Sequence, residues 1–282
     1  MPDQKVAVVT GPSSGIGRWI ALGLARAGMR VVLLGRNSAR LEATSRWIRE
    51  RVPGATTDPV IADLSLLAQV RTAAQTIAAT HPTIAVLVNN AGVFSPRRVV
   101  TAERHERTLA VNHLAPFVLT RALQSRLRAG FPSRIVNIGS AASDKVRLDL
   151  DDLEAERDFS LRYTYGRTKL ALMMATFEWA NRLESAAVTA NVVHPGTVAT
   201  DIVPRFSLPG LFWSVGKPFM LRPERGADTP LYVALTPELG IVTGKYFKPG
   251  TPAPRMRSPN PQAEDTVARA RLWAETARLV GP

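Results

Sequence analysis

The chain has 282 residues and a formal net charge of +13, carried by 30 arginines and 6 lysines. The absence of cysteine excludes disulfides and thiolate catalysis, and four scattered histidines offer little for a metal site. The arginines are spread along the chain without a nucleic-acid-binding motif, so solvated faces are favoured over a nucleic-acid partner.

The first predicted element is a short buried strand at residues 5–10, followed by a glycine-rich turn and a helical pattern that ends near Gly28. This order places backbone N–H groups and a helix N-terminus around one point, which suits a pyrophosphate. The spacing G-x-x-x-G-x-G differs from the commoner dinucleotide fingerprint, and a glycine-rich turn is often only a turn. The flanking strand and helix favour a phosphate site, with contacts expected from Gly11, Ser13, Ser14, Gly15, Ile16 and Gly17.

The second predicted strand, residues 31–34, leads into Arg36. An NAD site usually has an acidic side chain here, which holds the ribose 2′-hydroxyl. A guanidinium instead suits a 2′-phosphate, so Arg36 favours NADP(H) over NAD(H). Arg18 and Arg40 could add to the positive electrostatic field at this phosphate. The alternative is that Arg36 is an ordinary surface arginine.

Tyr165 stands four residues before Lys169, which puts both side chains on one face of a helix. A nearby ammonium favours the phenolate and should lower the pKa of the tyrosine from about 10. The phenol could then exchange a proton with a carbonyl or alcohol oxygen. Such a pair also occurs on solvated helices, so its meaning depends on the rest of the chain.

The remaining motifs follow a recognisable order: Thr10-Gly11-x-x-x-Gly15-Ile16-Gly17, Asn89-Asn90-Ala91-Gly92, Asn112, Ser140, Tyr165-x-x-x-Lys169 and Pro195-Gly196. In this order the chain resembles the short-chain dehydrogenase/reductase family over about residues 5–250. A finer resemblance, to its retinol-dehydrogenase-like branch, rests on residues 111–114, 136–140, 194–196 and 244–247. Alternating strands and helices agree with the fold this implies, an α/β Rossmann-type doubly wound parallel sheet with helices on both faces and a C-terminal helical extension.

The resemblance implies a role for each site residue. Tyr165 is the expected proton donor and acceptor, Lys169 lowers its pKa and holds the nicotinamide ribose, Ser140 binds the substrate oxygen, and Asn112 holds a water in a proton relay. The other implied cofactor contacts are Asp63, Leu64, Asn90, Ala91, Gly92, Pro195, Gly196 and Thr197. Taken singly, residues 89–92 could form a plain turn, Ser140 a helix cap and Asn112 a locally satisfied buried amide.

Ser140 lies 25 residues before Tyr165, about twice the separation in compact family members, and Thr168 replaces the more usual serine. The extra segment, 144–160, is rich in carboxylates. We interpret it as a solvated surface excursion, with a role at the substrate mouth as the alternative.

In the family, the segment after Thr200 is a lid over the substrate. Here residues 202–221 are rich in large apolar groups, including Phe212 and Trp213, which favours a bulky, lipophilic ketone, aldehyde or alcohol. The alternatives are packing on the core and contact with a membrane surface. Residues 249–261 form a proline-rich arm. Residues 262–280 are predicted to be a helix on the same domain, with the buried stripe Val267, Ala270, Trp273, Ala274 and Ala277.

Together these features predict one NADP(H)-binding domain, 1–250, followed by the arm and helix at 251–282. The predicted function is that of a carbonyl reductase or alcohol dehydrogenase, and the alternative is an inactive NADP-binding sensor or scaffold. We expect no metal, a homodimer or homotetramer, and a cytoplasmic location, since Met1 leads into the first strand without a signal peptide.

Overall fold

Eight strands form one sheet in a computed structural model that describes residues 4–183, 188–198, 221–250 and 253–282. They are β1 Val6–Thr10, β2 Arg30–Gly35, β3 Thr57–Ile61, β4 Val86–Asn89, β5 Ser133–Ile138, β6 Val188–Val193, β7 Tyr246–Lys248 and β8 Arg255–Arg257. Their order is β3-β2-β1-β4-β5-β6-β7-β8, and only the β7–β8 pair is antiparallel among the pairings described. The predicted α/β doubly wound fold is confirmed.

Helices cover both faces of this sheet. They are α1 Gly15–Arg26, α2 Ser38–Arg51, α3 Leu67–Thr80, α4 Arg107–Leu109, α5 Ala115–Ala129, α6 Leu161–Leu183, α7 Pro223–Gly226, α8 Asp228–Leu235, α9 Pro261–Glu264 and α10 Thr266–Val280. A π-helical turn, Ala110–Leu114, joins α4 to α5, and short 3₁₀ turns occupy Ala141–Ser143 and Pro237–Leu239.

Alternate residues of β1 serve two separate cores. Val6 and Val8 belong to one buried cluster, whereas Ala7 and Val9 belong to the other. Because side chains of a strand point to opposite faces in turn, the two clusters are the two helix-covered layers. The strand order reverses between β1 and β4, and ligands of such sheets bind outside the carboxyl ends of the strands at this point.

The C-terminal helix differs from its prediction. Asp265 interrupts it and caps α10, accepting hydrogen bonds from the N–H groups of Val267 at 2.9 Å and Ala268 at 3.0 Å. The predicted stripe is wrong, because Val267 is 77% exposed and Ala270 and Ala274 are also exposed.

The buried residues of α10 are Leu272, Thr276 and Val280. Thr276 faces inward because its hydroxyl lies 2.8 Å from Nε2 of the fully buried His113. Trp273, the partly buried member of the predicted stripe, packs between Trp179 and Phe117 with centroid distances of 4.7 and 4.8 Å. The prediction chose the buried face of the helix from its apolar residues alone. It therefore chose the wrong face, because one of the buried positions is a threonine.

The insert at 144–160 is also less solvated than predicted. Leu148, Asp152, Leu153 and Ala155 are all buried. The Glu154 carboxylate accepts a hydrogen bond at 2.6 Å from the main-chain N–H of Glu106. It also lies 2.8 Å from Nδ1 of His105. The interpretation as a surface excursion is therefore wrong for Leu148 and for residues 152–155, since their apolar and acidic side chains both have partners in the domain.

Candidate active site

The glycine-rich turn after β1 is closed by main-chain contacts. Gly11 has φ +65° and donates its N–H to the Leu34 carbonyl at 2.9 Å. A Cβ on Gly17 would lie 2.3 Å from the Gly11 carbonyl oxygen and 2.4 Å from Nδ2 of Asn90. The Asn90 amide in turn donates to the carbonyls of Thr10 at 2.9 Å and Gly11 at 3.2 Å. The start of α1 is thus held against the ends of β1 and β4.

The N-terminus of α1 offers unpaired donors. Ser14 is its N-cap residue, but the serine side chain makes no capping hydrogen bond, and the first turn contains no acidic residue. Gly15 has φ +54°, a conformation that L side chains rarely adopt. Ser13 and Ile16 are partly exposed in the same turn. First-turn N–H groups without capping partners are the donors that an anion can engage.

Arg36 lies at the same edge of the sheet. It follows β2, which pairs with β1 so that Thr10 is opposite Leu34. Its side chain is exposed, and within the described residues it has no hydrogen bond or ion pair. The position leaves the guanidinium available to a ligand.

Arg18 does not share this position. Its guanidinium lies 4.1 Å from the ring centroid of Trp47, which also stacks with Arg51 at 4.5 Å. Trp47 is nine residues past Ser38 at the start of α2, or about 14 Å along the helix axis. Arg18 is thus engaged with Trp47, and its contribution to the positive field at Arg36 stays a prediction.

Asp63 and Leu64 follow the carboxyl end of β3. Oδ1 of Asp63 accepts hydrogen bonds from the N–H of Ser65 at 2.9 Å and from its hydroxyl at 2.8 Å, and the Asp63 N–H donates to Gln69. Leu64 is buried in a core cluster. That Asp63 and Leu64 contact the adenine of the cofactor remains a prediction. Both residues lie at the carboxyl edge of the sheet, where such a contact would have to be made.

Tyr165 and Ser140 come together at the carboxyl end of β5. Burial raises the pKa of Tyr165 to about 12, and a hydrogen bond with the Ser140 hydroxyl acts in the opposite direction. Burial is therefore the largest influence on this pKa, and the lowering by Lys169 stays a prediction. Phe94 packs edge-on against the phenol ring with a centroid distance of 5.1 Å.

Lys169 lies one turn of α6 beyond the tyrosine and is 3% exposed. Its Nζ donates to the Ile138 carbonyl at 2.7 Å and lies 6.0 Å from the Tyr165 ring centroid. Burial lowers the pKa of the lysine to about 8. The ammonium is therefore anchored to β5 and carries no carboxylate partner among the hydrogen bonds of the described residues.

Asn112 occupies the π-helical turn and is fully buried. Its amide group donates to the Val93 carbonyl at 3.0 Å and the Thr168 hydroxyl at 3.1 Å, and its oxygen accepts from the Val93 N–H at 2.8 Å. Since both amide protons are used, the side chain has no donor left for a relay water. The observed role is to tie the Val93 loop to the turn of α6 that carries the tyrosine and lysine.

The segment after β4 is more than a turn. The N–H groups of Asn90 and Ala91 both donate to the Thr10 hydroxyl at 2.9 Å, which places Ala91 and Gly92 beside the glycine-rich turn. Behind it, Asn89 donates to the buried Asn137 at 2.8 Å. These contacts join β1, β4 and β5 at the carboxyl edge.

The Pro195-Gly196 pair follows β6, next to β5. Gly196 has φ +89°, and a Cβ there would lie 2.7 Å from Cδ1 of Leu221. The Thr197 carbonyl accepts from the Leu221 N–H at 2.9 Å. Leu221 is the one described residue of the predicted lid; residues 202–220, with Phe212 and Trp213, lie outside the described part of the chain.

Sequence reasoning missed several residues at this edge. Phe94 contacts the site through an aromatic ring that no spacing rule singles out, and Thr10 was predicted as part of the glycine motif but without a role for its hydroxyl. Asp144 was assigned to the solvated insert, yet its carboxylate accepts from Tyr246 at 3.1 Å and from Lys248 at 2.5 Å. The described residues contain no group of three or more histidine or acidic side chains arranged for a metal ion, and no described helix has the length and apolarity to cross a membrane.

Known proteins resemble the whole chain. Human retinol dehydrogenase 13 is 36% identical over 98% of this chain and 85% of its own. Human retinol dehydrogenase 12 is 34% identical over 98% of this chain and 86% of its own.

Solved structures share the fold. A short chain dehydrogenase from Burkholderia cenocepacia in complex with NADP has a TM-score of 0.71 and 28% identity, covering 86% of this chain and 95% of its own. A blue fluorescent protein from a metagenomic library in complex with NADPH has a TM-score of 0.69 and 31% identity, covering 86% and 95%. The model of the family "short chain dehydrogenase" matches residues 5–208. With this match and relatives that extend over nearly its full length, the chain belongs to the short-chain dehydrogenase/reductase family of NAD(P)-dependent oxidoreductases.

Proposed function

We propose that this protein is an NADP(H)-dependent carbonyl reductase or alcohol dehydrogenase for a bulky, lipophilic substrate, with Tyr165 as the general acid and base. The observation that carries the proposal is the buried Tyr165 phenol beside Ser140, one helical turn before a buried lysine, at the same sheet edge as the glycine-rich turn. This arrangement suits proton exchange with an oxygen that is bound beside a dinucleotide.

The residues present fit NADP(H). The uncapped start of α1 suits the pyrophosphate, and the exposed, unpaired Arg36 suits a 2′-phosphate. Structural relatives with bound NADP and NADPH support the choice. When bound, the nicotinamide supplies or accepts the hydride.

The protein's own part of the reaction is to bind the substrate oxygen and to move its proton. Ser140 and Tyr165 would bind a carbonyl oxygen together, and the phenol would give up its proton as negative charge develops there. With a pKa of about 12, the phenol is protonated at neutral pH, which is the form that donates. Lys169, still largely protonated at that pH, would stabilise the phenolate that remains.

The lipophilic substrate class is supported by three observations. The relatives of nearly full length are named for retinol, a lipophilic alcohol. Phe94 presents an apolar ring against the reactive phenol. The predicted lid sequence is rich in large apolar residues. A cytoplasmic location and a homodimer or homotetramer remain proposals from the sequence.

A paired substrate series tests the proposal. The purified protein would be assayed with NADPH and with NADH against aldehydes and ketones of increasing apolar size, from acetaldehyde to retinal. We expect kcat/KM to rise with apolar size and to be higher with NADPH. Oxidation of NADPH by none of these compounds, despite tight NADPH binding, would instead favour the inactive sensor. Equal rates with small polar and large apolar substrates would contradict the substrate class.

A further inference from the structure

The turn that follows the serine packs directly on the catalytic helix. We refer to residues 141–146 as the serine turn. A Cβ on Gly166 would lie 2.7 Å from the Ala142 carbonyl oxygen and 2.9 Å from Cγ1 of Val146. Because Gly166 is the residue after Tyr165, any shift of the serine turn is transmitted to the helix beside the phenol.

Ser140 is tied to this turn by its own hydrogen bonds. Its carbonyl accepts from the Ser143 N–H at 3.0 Å and the Ser143 hydroxyl at 2.6 Å. Its hydroxyl also accepts from the Ala142 N–H at 3.2 Å, so the serine both caps the turn and faces the phenol. The orientation of the hydroxyl therefore depends on where the turn is held.

Asn260, in the C-terminal arm, binds main-chain carbonyl groups of the serine turn through its side-chain amide. Its side-chain NH₂ group lies 2.8 Å from the Ser143 carbonyl oxygen, 2.7 Å from that of Val146 and 3.4 Å from that of Asp144. The residue is only 5% exposed, so water cannot readily replace it as a donor. Its Oδ1 accepts from the Gln262 N–H at 2.9 Å, which fixes the amide orientation at the start of α9.

The opposite side of the serine turn is held by the sheet. The Asp144 carboxylate receives hydrogen bonds from Tyr246 and Lys248 of β7. The serine turn is thus bound on both sides by elements more than 100 residues away in the sequence. Strand β7 binds one side-chain carboxylate of the turn, and Asn260 binds three of its main-chain carbonyls. The turn has few ways to move unless one of these anchors is lost.

We propose that Asn260 is a positioning residue for the catalytic pair: by holding the serine turn against Gly166, its amide sets the Ser140 hydroxyl at the Tyr165 phenol. The proposal rests on the function proposed above, since it assigns a consequence for proton transfer to a contact made by the C-terminal arm.

Asn260→Asp is the direct test, with Gln262→Glu as its matched control. Both exchange an amide for a carboxyl group of the same shape in the same arm, and both keep the acceptor oxygen. Gln262, however, donates to the Leu148 carbonyl, beyond the serine turn. We expect Asn260→Asp to lower kcat by about ten-fold or more, because misplacement of a reacting group by ~1 Å costs up to ~100-fold. The dissociation constant for NADPH should stay within about two-fold, and Gln262→Glu should change kcat by less than about two-fold, as expected for a contact outside the reacting groups.

Two readouts separate positioning from a loss of folding. At one fixed pH, kcat for alcohol oxidation should fall by a larger factor than kcat for carbonyl reduction in Asn260→Asp, because oxidation needs the phenolate and the Ser140 contact that lowers the tyrosine pKa is weakened. Hydrogen exchange of amides 142–144 should accelerate, while the amides of β1 and β4 exchange as in the wild type. Asn260→Ala, which adds no charge, provides the same readouts if the aspartate variant does not fold.

The proposal is overturned if the NADPH-competent fraction of Asn260→Asp retains wild-type kcat in both directions, or if Gln262→Glu causes an equal loss. It is also overturned if exchange at 142–144 is unchanged. A wild-type protein without reductase activity would instead contradict the proposed function, and the exchange experiment would still decide whether Asn260 holds the turn.

Discussion

The cofactor side and the substrate side of this site are built in different ways. On the cofactor side, the ends of β1, β2 and β4 meet through main-chain groups, glycines and short polar side chains such as Thr10 and Asn90. On the substrate side, the ends of β5, β6 and β7 meet through longer side chains from the insert, from β7 and from the C-terminal arm: Asp144, Lys248 and Asn260. The first construction depends on the shape of the backbone, whereas the second depends on individual contacts between side chains.

This difference predicts that mutations on the two sides affect different quantities, kcat on the substrate side and NADPH affinity on the cofactor side. Changes on the substrate side should lower kcat and leave NADPH binding intact. Changes on the cofactor side should weaken NADPH and leave kcat at saturating cofactor nearly unchanged.

Tyr165→Phe should have the largest effect. It removes only the hydroxyl, so turnover should fall by at least ~100-fold, the scale of general acid catalysis, with little change in NADPH affinity. Tyr163→Phe is the matched control, since this hydroxyl lies two residues away on α6 and donates to the Arg147 carbonyl at the surface. Steady-state kinetics and fluorescence titration with NADPH measure the two quantities. Comparable losses in both variants would contradict the assignment.

The direction of the reaction should depend on pH. Because the pKa of Tyr165 is raised to about 12, the donating phenol is present from about pH 6 to 9, so kcat for carbonyl reduction should be flat up to about pH 7 and should fall between about pH 7 and 9 as Lys169 loses its charge. Alcohol oxidation needs the phenolate, so its kcat should rise about ten-fold per pH unit over the same range. Rate profiles at saturating NADP(H) test both directions. A flat oxidation profile would show that another group accepts the proton.

Gly17→Ala should weaken the cofactor side. Its Cβ would meet the Gly11 carbonyl at 2.3 Å, a backbone atom that cannot rotate away. Overpacking of this kind costs about 1–3 kcal/mol, which corresponds to a loss of NADPH affinity of roughly 5- to 150-fold. Gly23→Ala on the same helix is the control, because its Cβ meets only the Leu231 side chain. Calorimetric titration with NADPH compares them, and equal affinity of both variants would contradict the tight junction at Gly17.

Arg36→Ala should change cofactor choice by a smaller factor. A charge-assisted hydrogen bond to phosphate contributes roughly 1.5–3 kcal/mol, so the preference for NADPH over NADH should fall about ten- to a hundred-fold. Arg46→Ala, an exposed arginine farther along α2, serves as the control. The ratio of the two dissociation constants is the measurement. An unchanged ratio in Arg36→Ala would mean that another group binds the 2′-phosphate.

The sequence predicted the cofactor side better than the substrate side for a physical reason. Gly11, Gly15 and Gly17 carry local spacing, set by a turn and the start of a helix, that can be recognised along the chain. The partners of Asp144 and Asn260 lie more than 100 residues away, so no local pattern shows them. The burial of Thr276 likewise depends on His113 from another helix, which is why the predicted stripe of the C-terminal helix was wrong.

The central claim is that Tyr165 gives its proton to a carbonyl reduced by NADPH, and isotope transfer tests it most directly. The protein would be incubated with NADPH carrying deuterium in place of both hydrogens at C4 of the nicotinamide and with a lipophilic aldehyde, and the alcohol would be analysed by mass spectrometry. The account predicts one deuterium on the carbinol carbon with the wild type, and at least ~100-fold less product with Tyr165→Phe despite full NADPH binding. Alcohol without deuterium, or equal product from the phenylalanine variant, would contradict it.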